Sequence, residues 1–185
     1  GAIFGATGGV MEAALRTVAD ILTGKDLDDF EYSGVRGLEG VKEASVILPV
    51  EGKDTEINVA VAHGTVNAAK VLEAVKAGEK QYHFIEVMAC PGGCVHGGGQ
   101  SHVSAKARLE VNPKIKRADA LYELDKSLPL RKSHKNPEVI KLYEDYLGEP
   151  NGRMSHKLLH THYVKRDAYV LEQEEEFEKL LEKLK

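Results

Sequence analysis

The stretch Glu86-Val-Met-Ala-Cys90-Pro-Gly-Gly-Cys94-Val-His-Gly-Gly-Gly-Gln100 joins the end of an apolar segment to a loop with two cysteines and five glycines. Residues 83–88 are apolar enough to predict a buried strand that ends just before the first cysteine. Glycine adopts positive φ freely and lets the backbone approach a bulky group, at an entropic cost. This composition therefore predicts a loop shaped around something large.

An iron-sulfur cluster is one such group. Clusters bind through cysteine thiolates, and backbone N–H groups of glycine-rich turns can point at their sulfides and offset negative charge. Cys90 and Cys94 are separated by three residues, unlike the two-residue spacing of thioredoxin-like motifs and most zinc knuckles. Because two thiolates do not complete a cluster, any further ligands must come from another polypeptide segment.

Other interpretations of the two cysteines remain open at this point. They could be small buried apolar residues, or a pair that oxidises in air. A zinc site that adds His63, His96 or His102 is conceivable, but no H-x3-H pair accompanies the cysteines. The glycine-rich context favours the cluster over these alternatives.

The residues before this loop predict an α/β lobe. Apolar residues recur at helical spacing after Gly8-Gly9, and Gly24 can cap the end of that helix; the stripe consists of Met11, Leu15, Val18 and Leu22. Residues 44–49 and 56–62 are rich in Val and Ile and are separated by a polar stretch with Gly52, which predicts a hairpin.

A second helix is expected between the hairpin and the cysteine loop. It starts near Gly64 and ends at Gly78, with Ala68, Leu72 and Val75 as its apolar stripe. Strand, helix and strand in succession favour parallel pairing through a right-handed crossover. The predicted fold class is therefore α/β, with a small, partly parallel sheet flanked by helices and followed by an extended helical tail.

Beyond Gln100 the pattern is helical. Asn136 followed by Pro137 is a specific start signal for one helix, and two apolar faces are predicted, Ile115, Ala118 and Tyr122 on one and Val139, Leu142, Tyr143 and Tyr146 on the other. We predict three regions: a lobe at 1–104, a helical tail at 105–170 and a charged terminal helix at 171–185.

Composition excludes several classes of protein. The net charge is -4 and the Lys and Arg residues are scattered along the sequence, which argues against a nucleic-acid surface. The longest apolar runs fall far short of the roughly 20 residues of a membrane span. No secretory leader is evident, so a cytoplasmic location is expected. The glycine-rich, apolar start at Gly1 suggests the interior of a longer protein.

The stretch from Glu86 to Gln100 resembles the third signature motif of the iron-only (FeFe) hydrogenases, E-x-M-x-C-x3-C-x2-G-G-G-Q, residue for residue. Three further parts of the chain resemble the family: Phe4-Gly-Ala-Thr-Gly-Gly-Val-Met-Glu-Ala-Ala-Leu-Arg16, Val35-Arg-Gly37, and a tail with Arg131-Lys-Ser-His134 and Leu158-Leu-His-Thr-His-Tyr163. The tail is similar to a helical segment that some members carry as a separate small subunit.

The resemblance implies reversible reduction of protons to hydrogen at a six-iron cofactor, a 4Fe-4S cubane joined to a two-iron subcluster that bears carbon monoxide and cyanide. Cys90 would ligate the cubane, and Cys94 would ligate it and bridge to the two-iron unit. Met88 would pack beside that unit, with Phe4 and Gly5 lining the far side of its pocket. The loop glycines would surround the cofactor: Gly92, Gly93, Gly97, Gly98 and Gly99.

The sequence also departs from the family pattern. Ser101 stands where the family usually has proline, which affects the exit of the loop. The first two signature motifs, with the other two cubane cysteines, are not among these residues. The resemblance then implies that the missing N-terminal part completes the cofactor, and that ferredoxin or nicotinamide-linked partners exchange electrons with the whole enzyme. We expect the isolated chain to be inactive, to lack metal at its cysteines, and to be prone to self-association through an uncovered face.

A non-catalytic role is the main alternative. Eukaryotic relatives of hydrogenases assist the assembly of iron-sulfur proteins, and this chain could belong to such a sensing or assembly protein. A structural or interaction module is a third possibility, if the cysteines bind nothing. The match at Met88 and through the final glycines favours the enzyme.

Two other groups of residues predict structural roles. Glu12 and Arg16 are one helical turn apart and can form an ion pair. Four histidines occur in the tail without accompanying cysteine or carboxylate ligands, so we expect them to be hydrogen-bonded structural residues; they are His134, His156, His160 and His162.

Overall fold

A small mixed sheet organises the part of the chain described by this computed structural model, residues 1–26, 32–50 and 52–165. Its strands are β1 (Val41–Val50), β2 (Lys53–His63) and β3 (Phe84–Met88), in the order β1-β2-β3. β1 and β2 pair antiparallel, and β2 and β3 pair parallel. The predicted α/β class, hairpin and parallel pair are confirmed, although β1 and β2 extend beyond the predicted bounds.

The central strand β2 lies between two helices, α1 (Gly9–Thr23) and α2 (Thr65–Lys76). Successive side chains of a strand point to opposite faces, and here both faces are apolar. Val59 and Val61 pack with Met11, Leu15 and Val35 on one side, whereas Ala60 and Ala62 pack with Val71 on the other. The core is therefore divided between the two faces of one strand.

The predicted helical stripes are partly wrong. In α1, Val18 is 37% exposed while Ala19 is fully buried, because the helix also buries a polar side carrying Glu12 and Arg16. In α2, Leu72 and Val75 are exposed and the buried positions are Ala68 and Val71. Helical spacing identified both helices, but the face that each helix buries is rotated about the helix axis relative to the predicted apolar stripe.

The expected strand at residues 83–88 is confirmed as β3, but the expectation that this strand is buried is wrong. Phe84 and Val87 are 46% and 50% exposed, whereas the one charged side chain of the strand, Glu86, is buried. β3 is last in the strand order and pairs only with β2 within the described residues. An edge position leaves much of an apolar strand uncovered, and local sequence does not reveal strand order.

Helices follow the sheet, as predicted, and no strand occurs after β3 in the described residues. They are α3 (Ala105–Glu110), α4 (Pro113–Ser127), α5 (Pro137–Leu142) and α6 (Arg153–Leu159). The side chain of Asn112 accepts a hydrogen bond from Lys114 N at the start of α4. Asn136 Oδ1 accepts from Glu138 N at 2.9 Å, which confirms the predicted start of α5.

The chain divides into two compact units, and the second begins at Lys141. In that unit a π-helical turn at Tyr143–Leu147 precedes α6. Leu142 and Tyr146 are largely exposed, so the apolar face predicted for them is wrong. The predicted terminal helix lies outside the described residues, and the predicted boundaries at 104 and 170 stay predictions.

The tail histidines behave in two ways. His134 lies within hydrogen-bonding distance of Thr17 Oγ1 and Asp20, at 3.0 and 3.1 Å, as a structural histidine would. The other three are exposed rather than buried in a hydrogen-bonded setting, and the ring centroids of His156 and His160 are 4.2 Å apart. None of the helices described here has the length and apolar character needed to cross a membrane.

Candidate metal centre

The two cysteines lie on a double turn directly after β3. Gly93 N donates to Cys90 O at 2.9 Å, and Gly97 N donates to Cys94 O at 3.0 Å. Both residues are free thiols, with Cys90 half-buried and Cys94 exposed. Their backbone is thus held by local hydrogen bonds while their sulfur atoms remain available for ligation.

Gly93 is the point of closest packing in this loop. Its φ is 92°, a left-handed conformation that side chains strongly disfavour. A Cβ atom here would lie 2.8 Å from both Gly5 O and Thr7 N and 2.9 Å from Met88 Sδ. Only glycine allows the loop, the N-terminal segment and Met88 to meet at this position.

The N-terminal segment forms the opposite wall. A 3-10 turn spans Ala2–Gly5, and Thr7 N donates to Gly92 O at 3.0 Å. Leu121 of α4 closes on the outer side, since a Cβ at Gly5 would lie 2.9 Å from Leu121 Cδ1. The side chain of Phe4 is 41% exposed.

Four of the predicted site residues therefore come together at one place: Gly5, Met88, Gly92 and Gly93. By contrast, Gly98 and Gly99 lie where an added Cβ would meet nothing within 4 Å. The packing of the loop explains its first two glycines and leaves the last two without a structural reason in the described residues.

A cavity of about 390 Å³ opens beside Cys94. It is enclosed by the 3-10 turn, the cysteine loop and α4, and its lining residues are Ala2, Gly5, Cys94, Val95, Gln100, Arg117, Ala120 and Leu121. The exposed thiol thus faces a space rather than the packed interior.

Glu86 ties the strand that carries the loop to the start of α1. Its two carboxylate oxygens accept hydrogen bonds from Gly8 N at 2.6 Å and Met11 N at 2.7 Å. The first N–H groups of a helix lack intrahelical partners and attract negative charge. The sequence motif contains Glu86 without indicating this role, although a carboxylate within an apolar strand is a signal of a buried partner.

Lys42 holds the same N-terminal segment from β1. Its Nζ donates to Thr7 O at 3.2 Å and to Gly37 O at 2.9 Å. Burial lowers the pKa of Lys42 to about 8, although the negative charges of Glu86 and Glu39 oppose this shift. No local pattern in the sequence indicated this role.

A buried ion-pair network supports α1 behind the loop. The predicted pair of Glu12 and Arg16 is confirmed at 2.7 Å, and both side chains are buried. Arg16 also pairs with Asp125 of α4 at 2.9 Å, and Arg131 pairs with the same carboxylate at 2.8 Å. Burial disfavours the ionised form of Asp125, but hydrogen bonds from Arg16 and Arg131 outweigh it and hold its pKa below the usual value.

Arg117 braces the exit of the loop. It donates to Val95 O at 3.0 Å and to Ser101 O at 2.7 Å, and the side chain of Gln100 donates to Cys94 O at 3.1 Å. Arg117 therefore fixes the backbone at Ser101, the position for which the family resemblance leads us to expect proline.

The donor set fits part of a metal cluster. Within residues 1–26, 32–50 and 52–165, no group of three or more His, Cys, Asp or Glu is arranged to hold a metal ion. The alternative zinc site, in which nearby histidines would join the two cysteines, is therefore not formed in these residues. Two available thiols in a glycine-shaped loop suit a cluster whose other ligands come from elsewhere. Both the loop and the wall opposite it are in place for such a group.

Comparison with protein families assigns most of the chain. Residues 1–98 match the C-terminal domain of the iron-only hydrogenase large subunit. Residues 112–166 match the iron hydrogenase small subunit.

Similar curated proteins include two hydrogenases. The chain is 51% identical over 165 residues to Iron hydrogenase 1 of Clostridium pasteurianum, covering 89% of this chain and 28% of that protein. It is 50% identical to the NADP-reducing hydrogenase subunit HndD of Solidesulfovibrio fructosivorans, and the match covers 89% of this chain and 26% of that protein. Protein NAR1 of Arabidopsis thaliana is 32% identical to this chain, and the match covers 87% of this chain and 33% of that protein. The chain thus spans about a quarter to a third of the curated relatives it matches.

Solved structures agree. The FeFe-hydrogenase HydA1 of Chlamydomonas reinhardtii is 43% identical with a TM-score of 0.66, covering 87% of this chain and 45% of that one. A HydA structure described as revealing stepwise H-cluster assembly is 42% identical to this chain with the same TM-score. That match covers 87% of this chain and 46% of that one. Family match, relatives and structures converge, and the chain belongs to the iron-only hydrogenase family.

Proposed function

We propose that this chain is the part of an FeFe-hydrogenase that supplies Cys90 and Cys94 as two ligands of its active-site cluster. The observation that carries the proposal is the packing at Gly93, where a side chain would collide with Gly5, Thr7 and Met88. This close approach holds the N-terminal segment and Met88 against the loop that carries the two free cysteines. The exposed Cys94 thereby lines a cavity together with Gly5 of that segment, which supports a shaped pocket for a cluster.

Each predicted residue has a place in this proposal. Cys90 and Cys94 would hold the 4Fe-4S cubane, with Cys94 also bridging to the two-iron subcluster. When bound, this six-iron cofactor supplies the redox chemistry of reversible proton reduction. Met88, with its sulfur against Gly93, would pack beside the two-iron unit, while Phe4 and Gly5 would line the far side. The loop glycines at 92, 93 and 97–99 would let the backbone surround the cofactor.

The remaining ligands are proposed to come from a region that the relatives have and this chain does not span. The match to Iron hydrogenase 1 covers 28% of that protein, and the sequence contains no cysteine besides Cys90 and Cys94. We accordingly propose that this chain alone does not evolve hydrogen, and that the face which the remaining region would cover favours self-association. We also propose that ferredoxin or nicotinamide-linked carriers exchange electrons with the whole enzyme. We place that enzyme in the cytoplasm.

Iron-sulfur assembly is the second candidate function. It is favoured by relatives such as the cytosolic iron-sulfur assembly component 3 of Rattus norvegicus, which is 34% identical over 160 residues. The two hydrogenases are 50% and 51% identical over similar lengths. The higher identity supports hydrogenase activity over assembly.

A chimera separates the two functions. This chain would replace the segment that it matches in Iron hydrogenase 1, and the chimera would be produced with hydrogenase maturation proteins. The proposal expects hydrogen evolution from reduced methyl viologen together with infrared bands of bound carbon monoxide and cyanide. Cys94→Ser should abolish both signals.

Lys106→Gln, an exposed position on α3, is the matched surface control and should retain both signals. A folded chimera with iron and sulfide but neither infrared bands nor hydrogen evolution would favour the assembly role and overturn the hydrogenase proposal.

A further inference from the structure

A second cavity lies beyond the space next to Cys94 and shares Gln100 and Arg117 with it. Its volume is about 790 Å³, within the range of roughly 300 to 1,000 Å³ typical of small-molecule sites. Three structural elements enclose it: the end of the loop, α3 and the first turn of α4. It is therefore a concave site built from separate parts of the sequence.

Positive charge dominates the lining. Arg108, Lys114 and Arg117 all line the cavity, against one carboxylate, Glu110. Arg117 donates only to backbone carbonyl oxygens, of Val95 and Ser101, so its charge is not neutralised there. None of the three cations forms an ion pair with a carboxylate in the part of the chain described.

This lack of carboxylate partners contrasts with the rest of the molecule. Arg16, Arg131 and Lys132 are each paired with a buried aspartate. Three cations that converge on a cavity with a single carboxylate leave a net positive charge there. They form an electrostatic site for an anion, because their fields add in a concave, partly desolvated space.

We propose that this cavity binds a small, multiply charged oxyanion of the phosphate or diphosphate type. Guanidinium and ammonium groups are the side chains that recognise such anions. The exposed apolar side chains of Leu109 and Val111 also line the space and leave room for an organic body attached to the phosphate. Through Arg117 the occupant would touch the brace that fixes Val95, next to Cys94. The inference does not depend on the proposed hydrogenase activity.

The test uses this 185-residue chain and inorganic pyrophosphate as the probe. Isothermal titration calorimetry at constant ionic strength should give saturable binding. The double variant Arg108→Gln/Lys114→Gln should weaken the affinity at least tenfold. Lys106→Gln/Lys116→Gln is the matched control, because it removes the same charge from the same two helices at positions outside the cavity lining, and its affinity should stay within twofold of wild type.

Three results would overturn the proposal: no saturable binding, an equal loss of affinity in the control variant, or tighter binding of a hexaglutamate peptide than of pyrophosphate. The last result would indicate an acidic protein surface as the occupant.

Discussion

Glu86 and Gly8 are joined by a hydrogen bond of 2.6 Å from the backbone N–H of Gly8 to Glu86 Oε1. The second oxygen accepts from Met11 N at 2.7 Å, so one buried carboxylate satisfies two N–H groups at the start of α1. Glu86 lies in β3 shortly before Cys90. Gly8 directly follows Thr7, whose backbone N packs on Gly93. This pair fixes the two walls of the candidate metal centre relative to each other.

Glu86→Gln should destabilise the protein by about 1 to 3 kcal/mol, because the amide NH2 would face one of the two buried N–H donors and leave it without an acceptor. Chemical denaturation monitored by far-ultraviolet circular dichroism measures the free energy of unfolding.

The control for this change is Glu43→Gln, since Glu43 is an exposed carboxylate paired with Lys80 at 3.0 Å. Exposed pairs contribute roughly 0 to 1 kcal/mol. Equal losses in the two variants would mean that Glu86 has no special role at the helix start.

Gly93→Ala should be strongly destabilising, because it combines a φ of 92° with contacts of 2.8 to 2.9 Å at the new Cβ. We expect a loss of at least about 2 kcal/mol, the sum of backbone strain and steric overlap. Gly99→Ala is the matched substitution in the same loop, where a Cβ would meet nothing within 4 Å, and it should leave the free energy of unfolding nearly unchanged. Similar melting temperatures for both variants would contradict the close approach at Gly93.

Lys42 should make the free energy of unfolding depend on pH. The sign of this dependence follows from its lowered pKa of about 8. Between this value and the ordinary value of 10.5, the unfolded chain binds more protons than the folded one, so stability should rise with pH, by at most about 1.4 kcal/mol per pH unit. Urea denaturation at pH 7.5, 8.5 and 9.5 should show this rise in the wild type and a flatter profile in Lys42→Met. Parallel profiles would show that Lys42 does not titrate in this window.

Asp125 gives a dependence of the same sign at acid pH, because its pKa is also lowered in the folded state. Its pKa in the folded state lies below the ordinary value of 3.8, so its contribution is complete above that value and is lost as pH falls through the folded pKa. Asp125→Asn should cost about 3 to 5 kcal/mol at pH 7, because it leaves Arg16 buried without this partner's charge. The difference from wild type should shrink below about pH 4. A difference that stays constant down to pH 2.5 would contradict this assignment.

The sequence predicted the parts of the fold that local patterns control. The Val and Ile content of two segments separated by a polar stretch identified β1 and β2, and the glycine loop after β3 identified the candidate metal centre. The exposure of Phe84 and Val87 could not be predicted, because it depends on β3 being at the edge of the sheet.

Partners distant in sequence were missed for a related reason. Glu86 and Met11 are 75 residues apart, and Arg16 and Asp125 are 109 apart. No periodicity within one element indicates which buried charge will meet which. The cations at Arg108, Lys114 and Arg117 are likewise spread over two helices and converge only in the folded chain.

Cys90 and Cys94 are proposed to ligate a cluster. Iron and acid-labile sulfide counts, with electron paramagnetic resonance of the anaerobically purified chimera containing this chain, test this ligation. We expect the active-site cubane in the wild-type chimera, and its loss in a Cys90→Ser/Cys94→Ser variant whose circular dichroism spectrum shows that it is folded. An unchanged complement of iron and an unchanged cubane signal in that double variant would contradict the claim.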